Sequence, residues 1–178
     1  MSAIQQRRVV TGHNEQGESI ILFDDMGTNV TPIPSWDGLY VTELWVTSEM
    51  PIDNGGQDDR ALRPMKHDPD PSGTIFRLVE IPPESKTTFN AAGIFTELGS
   101  SNKPSEADAR RHPTMHKTNS VDYLVVISGE MIMEMENGST LLKRGDCIVQ
   151  RGTNHAWVNV SDEPCLIAAI LVDAIPAP

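Results

Sequence analysis

The sequence predicts an all-β protein, an antiparallel sandwich or barrel with few short helices. Candidate strands recur at intervals of about 8–12 residues between turn residues. No long stretch has the i, i+3, i+4, i+7 apolar spacing of an amphipathic helix. Glycine and proline, 13 of each among 178 residues, supply many turns but are too few for a fibrous or disordered chain. We therefore expect one globular domain built mainly of strands.

The N-terminal half of the chain holds three predicted strands and one long loop. The loop, residues 50–73, is rich in Pro, Gly and Asp and has no apolar period, which is typical of a surface loop. It is either a lid over a site or an insertion without a function, and its acids are expected to be solvated. His67 in this loop and His13 near the start are assigned no role. The strands are 18–23, 38–47 and 74–81.

Little helix is expected in the middle of the chain. Residues 104–111 are the best candidate, because Ser105 suits the N-cap position and Asp108 stands three residues later, as in a capping box. Residues 86–97 are ambiguous, and a short strand or an irregular segment is expected there.

The C-terminal third has the clearest strand pattern. In residues 130–136 methionines alternate with other residues, mostly glutamates, so the methionines are expected to face the interior and the acids the solvent. Asn137-Gly138 is a strong hairpin signal, since both turn positions favour positive φ. Residues 121–128 are apolar on both faces, as in a strand covered on both sides. The remaining predicted strands are 139–143, 146–150, 155–161 and 164–173.

Charge and apolar runs exclude several partners and locations. The 25 acids against 14 Lys plus Arg give a net charge of −11, which disfavours nucleic acid and anionic membranes. The first residues lack the apolar run of a secretory signal, and the longest apolar run, 165–172, is too short for a membrane helix. We expect a soluble, cytoplasmic protein. Cys147 and Cys165 are expected to be small buried hydrophobes rather than a redox or metal pair.

Two histidines at predicted strand starts carry the strongest chemical signal. Residues of equal parity on a strand share a face, so His116 and Asp122 lie on one face, and His155 and Trp157 share another. If the two strands line one barrel, His116, Asp122 and His155 converge. Two imidazoles and one carboxylate around a divalent metal leave positions open for water or substrate.

On these residues the chain resembles the cupin superfamily, in particular its small single-domain members. The first cupin motif reads G-x5-H-x-H-x3,4-E-x6-G, and its first histidine, glutamate and last glycine correspond to His116, Asp122 and Gly129. The second reads G-x5-P-x-G-x2-H-x3-N and is matched by Gly145, Gly152, His155 and Asn159. The resemblance covers about 112–173. It implies a double-stranded β-helix, or jelly-roll barrel, over 74–175, with the N-terminal strands and loop of 1–73 packed on it as one structural domain.

The chain departs from the cupin pattern at positions that matter for function. Thr118 replaces the second motif histidine, Asp122 is one methylene shorter than glutamate, and Gln150 stands where proline is usual. Cupin metal sites usually have three histidines and one glutamate, so the resemblance implies either a weaker divalent metal site (Fe, Zn, Mn or Ni) or the loss of the metal. His112 in the preceding loop is a substitute ligand.

Several roles for the same residues stay open. His116, Asp122 and His155 are candidate metal ligands and catalytic residues, but the histidines also suit acid and base without metal, or plain polar lining of a binding cup. Asp122 either binds a metal or orients one of the imidazoles. The substrate pocket is expected to be lined by Thr118, Trp157, Met131, Met133 and Gln150.

Three functions follow from the resemblance and the residues. The first is metal-assisted non-redox chemistry on a hydrophobic or aromatic carbonyl-containing substrate, with the metal acting on a carbonyl or enolate oxygen, as in cupin cyclases, dehydratases, isomerases and decarboxylases. The second is a non-haem iron dioxygenase, and the third is a cupin that binds small molecules without catalysis. The expected partners are a small-molecule substrate and, because strand 121–127 is apolar on both faces, a second copy of the chain in a homodimer.

Overall fold

The computed structural model describes residues 3–100 and 104–176. In those ranges it has strands, two short α-helices and a 3-10 turn over Glu84–Lys86. The helices are α1 (Ala91–Glu97) and α2 (Glu106–Arg111). The strands are β1 (Arg7–His13), β2 (Ser19–Met26), β3 (Val30–Pro32), β4 (Tyr40–Thr47), β5 (Thr74–Ile81), β6 (Ser120–Ser128), β7 (Glu130–Met135), β8 (Ser139–Lys143), β9 (Cys147–Gln150), β10 (His155–Val158) and β11 (Cys165–Asp173).

The strands form a two-sheet barrel and a separate hairpin. The larger sheet has the order β3-β4-β5-β11-β6-β9, the smaller has the order β10-β7-β8, and β1 pairs with β2 alone. All the pairings are antiparallel. Apolar side chains from the facing sides of both sheets, such as Ile75 and Met131, pack into one core. The all-β jelly-roll prediction is therefore confirmed.

Most of the predicted elements are present close to their expected bounds. Strand β5 covers 74–81 as predicted, and β6, β7 and β8 lie within one residue of theirs. Helix α2 begins after Ser105, whose hydroxyl accepts from the Asp108 amide while the Asp108 carboxylate accepts from the Ser105 amide. The predicted capping box is therefore formed.

Three N-terminal and central elements, α1, β1 and β3, differ from the expectation. Residues 91–97 form α1 instead of a strand or an irregular segment. Helix α1 buries only Ile94 and Phe95, and the next buried residue is Leu98, just after its end. A helix of two turns is too short for its apolar residues to show a helical period in the sequence. Strand β1 was not predicted, and its exposed alternating residues pair only with β2.

Glycine at two turns permits the tight connections of the smaller sheet. Gly138 has φ +92° in the Asn137-Gly138 hairpin between β7 and β8. Gly129 has φ +76°, and a Cβ there would lie 2.8 Å from the Pro164 carbonyl oxygen. A side chain at Gly129 would therefore displace the neighbouring backbone.

The loop over 50–73, called the strap below, contains neither helix nor strand but is held to the barrel. The Arg8 guanidinium donates two hydrogen bonds of 2.7 and 2.8 Å to the Asp59 carboxylate. The Arg77 guanidinium donates to the His67 carbonyl oxygen at 3.3 Å. Asp59 is nearly buried in its ion pair, which corrects the expectation that the acids of this loop are all solvated.

The two cysteines lie in opposite environments. Cys165 is fully buried in the core, and burial raises the pKa of its thiol to about 11. Cys147 is exposed on β9, so the expectation that both cysteines are buried is wrong for Cys147. Cys147 pairs with Val125, which is also exposed, so both lie on the outward face of the larger sheet. Across the described ranges, no helix is long and apolar enough to span a membrane.

Candidate active site

A cavity of about 120 Å³ lies inside the barrel between the two sheets. Its wall is mostly apolar, with contributions from both sheets and from α1. Its polar side chains gather in one region and come from five separate segments. They are His67, Arg77, Thr114, His116, Thr118, Asp122 and His155.

His116 and His155 are joined directly by the backbone. Each donates its amide to the carbonyl oxygen of the other at 2.9 Å, which forms an isolated antiparallel bridge. This bridge places the two imidazoles side by side, with ring centroids 4.5 Å apart. The predicted convergence of the two motif histidines is therefore a consequence of strand pairing.

Backbone and side-chain groups fix both imidazole rings at Nδ1. His116 Nδ1 lies 2.9 Å from the Thr114 carbonyl oxygen, which can only accept, so this nitrogen carries the proton. His116 Nε2 is then the free basic nitrogen. His155 Nδ1 contacts the Thr153 carbonyl oxygen at 2.9 Å and the Gln150 amide nitrogen at 2.5 Å. Gln150, the residue at the usual proline position, thus contacts the Nδ1 side of the His155 ring.

The cavity keeps both histidines neutral. Burial lowers the pKa of His116 well below its ordinary value, and the nearby imidazoles of His155 and His67 lower it further. Burial lowers the pKa of His155 to about 4. At pH 7 both rings are therefore neutral, and His116 Nε2 is available to accept a proton from a bound molecule.

Asp122 is held by hydroxyl groups of its own segment. One carboxylate oxygen accepts from the Ser120 hydroxyl at 2.6 Å, and the other accepts from the Thr118 hydroxyl at 3.5 Å. Burial raises the pKa of this carboxyl group. Thr118, which replaces the motif histidine, therefore donates a hydrogen bond to the Asp122 carboxylate in this chain.

His67, like Arg77 and Thr114, is a site residue that sequence reasoning missed. It is 8% exposed, and its ring lies edge-on to His116 with centroids 5.1 Å apart. Its Nδ1 contacts the Asp68 carboxylate at 3.0 Å. An irregular loop has no apolar period from which the direction of a side chain can be predicted. The one signal in the sequence was a histidine in a loop long enough to reach the barrel.

Arg77 and Glu43 form a buried ion pair beside the histidines. The Arg77 guanidinium donates to Glu43 at 2.9 Å, and these side chains are only 4% and 1% exposed. Arg77 also lines the cavity, and its Nε is buried with no hydrogen-bond partner. The cavity therefore has a cationic group and one unused donor near its acceptors.

Several predicted pocket residues lie elsewhere. Met131 and Met133 are buried in the core but are not part of the cavity wall, and Gln150 reaches the site only through His155. His112 faces Glu84, with Nε2 3.2 Å from a carboxylate oxygen, instead of the cavity. The motif residue Asn159 is fully buried and donates to the Ile81 and Glu163 carbonyl oxygens, which makes it a structural residue.

The side-chain arrangement does not fit a metal centre with three protein ligands. Over residues 3–100 and 104–176, no group of three or more His, Cys, Asp or Glu is placed to hold a metal ion. The two motif histidines are close, but both Asp122 oxygens are engaged by hydroxyl groups. The metal site of His116, Asp122 and His155 stays a prediction.

Comparison with known proteins places a cupin domain in the C-terminal part of the chain. Residues 103–172 match the family profile described as Cupin domain. Over 70 residues the chain is 46% identical to the phomopsin biosynthesis cluster protein D of Diaporthe leptostromiformis. That match spans 39% of this chain and only 37% of the length of the relative.

Longer matches have lower identity. The cupin-domain-containing oxidoreductase fogC of Aspergillus ruber is 27% identical over 169 residues, which is 92% of this chain and 69% of that protein. Among solved structures, a cupin domain from Schizosaccharomyces pombe is 10% identical and covers 96% of this chain and 89% of its own, with a TM-score of 0.49.

Proposed function

We propose that this chain, in which residues 103–172 match the Cupin domain family, is an enzyme that moves protons on a hydrophobic or aromatic carbonyl compound. The proposal rests on one observation above all. Two neutral histidines stand side by side in an apolar cavity, and the proton of His116 is fixed on Nδ1 by the Thr114 carbonyl oxygen. His116 Nε2 is then a base in a water-poor environment.

The residues around His116 have complementary tasks in this proposal. His116 Nε2 removes a proton next to the substrate carbonyl, and His155, steadied by Gln150, is the partner that returns or shares it. The unused Nε–H of Arg77 is a donor for the negative charge that develops on the carbonyl oxygen. Isomerisation, dehydration and cyclisation next to a carbonyl can begin with such a proton removal, and decarboxylation ends with the reverse step, the protonation of an enolate.

Hydrogen–deuterium exchange of substrate analogues tests the proposal without knowledge of the natural substrate. The protein is incubated in D2O with a panel of aryl methyl ketones and arylpyruvic acids, and mass spectrometry measures deuterium next to the carbonyl. We expect enzyme-dependent exchange that falls by about 10²–10⁴-fold in His116→Gln, the usual contribution of a general base. Equal exchange in the wild type and His116→Gln would contradict the proposal.

A second candidate function is redox chemistry. It is favoured by the names of three relatives, each described as a cupin-domain-containing oxidoreductase and 25–27% identical over more than nine-tenths of this chain. A non-haem iron dioxygenase is the form of this hypothesis that the cupin resemblance implies. Elemental analysis of protein purified without a chelating column, followed by oxygen uptake with Fe(II) and the same panel, distinguishes the two. Stoichiometric iron with substrate-dependent oxygen uptake would favour the redox function.

A further inference from the structure

Helix α1 forms one part of the cavity wall and separates the cavity from solvent. Its residues Ile94 and Phe95, together with Leu98 just after its end, line the cavity. Ala92 and Thr96 on its opposite side are exposed. Most of the remaining apolar wall comes from strands, whose positions are fixed by their pairing in the two sheets. The helix is therefore a thin wall element that limits the cavity on one side.

Phe95 brings this wall up to the proposed base. It is 2% exposed, and its ring centroid lies 5.8 Å from that of His116. The other rings beside His116 include the imidazoles of His155 and His67, at 4.5 and 5.1 Å. Phe95 is thus a hydrocarbon ring that bounds the space next to His116, and a substrate bound at His116 meets this ring.

Contacts at both ends of α1 hold Phe95 in this position. The Glu97 carboxylate accepts hydrogen bonds from the Ser35 amide at 2.9 Å and from the Ser35 hydroxyl at 2.7 Å. At the other end, the Asn90 amide donates to the Ser35 carbonyl oxygen at 2.8 Å. Ser35 lies between β3 and β4. Because both ends of this two-turn helix are tied to one residue, Phe95 does not withdraw toward solvent unless these hydrogen bonds break.

The cavity has room for one aromatic ring. Its volume is about 120 Å³, and a cavity of about 150 Å³ lined by apolar side chains holds a benzene molecule. A fused second ring adds four carbon atoms, for which the cavity has no space. The ring of Phe95 contains six carbon atoms, so its removal provides more volume than a second ring of the substrate occupies.

We propose that Phe95 determines the size of the substrate and restricts the site to carbonyl compounds with a single aromatic ring. The inference rests on the proposed function, which places the reacting carbon of the substrate at His116 Nε2. With that carbon at His116, the aromatic ring next to the carbonyl group lies beside Phe95. A phenyl ketone fits in this space, whereas the second ring of a naphthyl ketone collides with Phe95.

Fluorine NMR titration with a matched pair of ketones tests this role. The probes are 4-fluorophenyl methyl ketone and 6-fluoro-2-naphthyl methyl ketone, which differ by the second ring, and the measurement gives a dissociation constant for each. We expect the wild type to bind the phenyl ketone at least about 10-fold more tightly, and Phe95→Ala to reverse the preference by a similar factor. Phe76→Ala, the same change on the exposed side of β5, is the control and should keep the wild-type preference.

A second variant and a second measurement complete the test. If Phe95→Ala does not fold, Phe95→Leu removes less volume and should bring the two dissociation constants closer together. A wild type that binds both ketones equally or neither of them, or a folded Phe95 variant with the wild-type preference, would overturn the inference. Deuterium exchange separates this outcome from the proposed function. A preference that reverses without any exchange would support the role of Phe95 in binding and contradict only the proton chemistry.

Discussion

His116 shows how one residue takes part in both fold and site. Its backbone pairs with His155 through two hydrogen bonds of 2.9 Å, and its side chain gives Nδ1 to Thr114, so the ring has little freedom to turn. The consequence is a fixed basic nitrogen in a cavity whose wall is mainly apolar. The geometry of the site therefore depends on the carbonyl oxygens of Thr114 and Thr153, which orient the rings, as much as on the imidazoles themselves.

The pH dependence of stability should reveal the buried His155. Its pKa is about 4 in the folded chain and about 6.5 when unfolded, so the unfolded state binds more protons between these values. The free energy of unfolding therefore falls as the pH is lowered from 7 to 4, by about 3 kcal/mol from this residue. Denaturant unfolding of the wild type and His155→Gln across this range should show a shallower slope in the variant.

The same comparison separates His155 from Asp122. Burial raises the pKa of Asp122, so this group contributes in the opposite sense and stabilises the folded state toward low pH. Its contribution is common to the wild type and to His155→Gln, and it cancels in the difference between them. Identical pH profiles for the two proteins would show that His155 does not titrate as its buried position requires.

His67 should matter for activity although the cupin motifs do not include it. Its ring borders the cavity edge-on to His116, so replacing it with glutamine changes the surroundings of the proposed base. We expect His67→Gln to lower the deuterium-exchange rate by about 10-fold or more while the melting temperature stays close to that of the wild type. His112→Gln is the control, since His112 faces Glu84 outside the cavity, and an equal loss in both variants would argue against a role for His67.

The strap is the element whose behaviour departs most from its composition. It lacks regular structure, yet Arg8 from β1 and Arg77 from β5 bind it at two points, and it delivers His67 to the cavity. The hairpin β1-β2 therefore contributes to the site indirectly, because Arg8 clamps Asp59 of the strap. The buried guanidinium groups of Arg8 and Arg77 thus hold the irregular strap in place at the wall of the cavity.

Replacing Arg8 should loosen the strap. The Arg8 side chain is 5% exposed and Asp59 is 10% exposed, so Arg8→Met leaves a nearly buried carboxylate without its partner. Loss of about 3 kcal/mol of unfolding free energy is expected, with faster amide hydrogen exchange concentrated in residues 50–73. The adjacent Arg7 pairs with Asp24 in full solvent, so Arg7→Met is a matched control that should leave both measurements unchanged.

Patterns in the sequence predicted the strands well because strand faces repeat every two residues. This period identified β5 through β8 and correctly placed His116, Asp122 and His155 around one interior. It gave no information on α1, which is two turns long, or on His67, whose position depends on long-range ion pairs. It also did not separate the cavity wall from the filled core, so Met131 and Met133 were placed in the pocket although they only pack beneath it.

Taken as a whole, the molecule is a barrel whose interior is divided between a filled core and a small cavity. The filled part contains Met131 and Met133 from the smaller sheet, while the small side chain of Ala169 in the centre of β11 lines the cavity. The outward side of the same strand bears the exposed side chain of Ile170. One strand thus separates the proposed site from the exposed face of the larger sheet, and substitutions on its two sides should have separable effects.

Ligand binding to the cavity should raise the melting temperature, and filling the cavity should abolish that effect. A ligand at 100 times its dissociation constant adds about 2.7 kcal/mol to the free energy of unfolding, or roughly 5–10 °C for a chain of this size. Ala169→Leu places three more carbon atoms into the cavity of about 120 Å³, so the variant should remain folded and show no shift with an aryl ketone that stabilises the wild type. Ala109→Leu, the same change at an exposed position of α2, should keep the full shift. An undiminished shift in Ala169→Leu would mean that the ketone binds outside the barrel, and the cavity would then have no part in recognition.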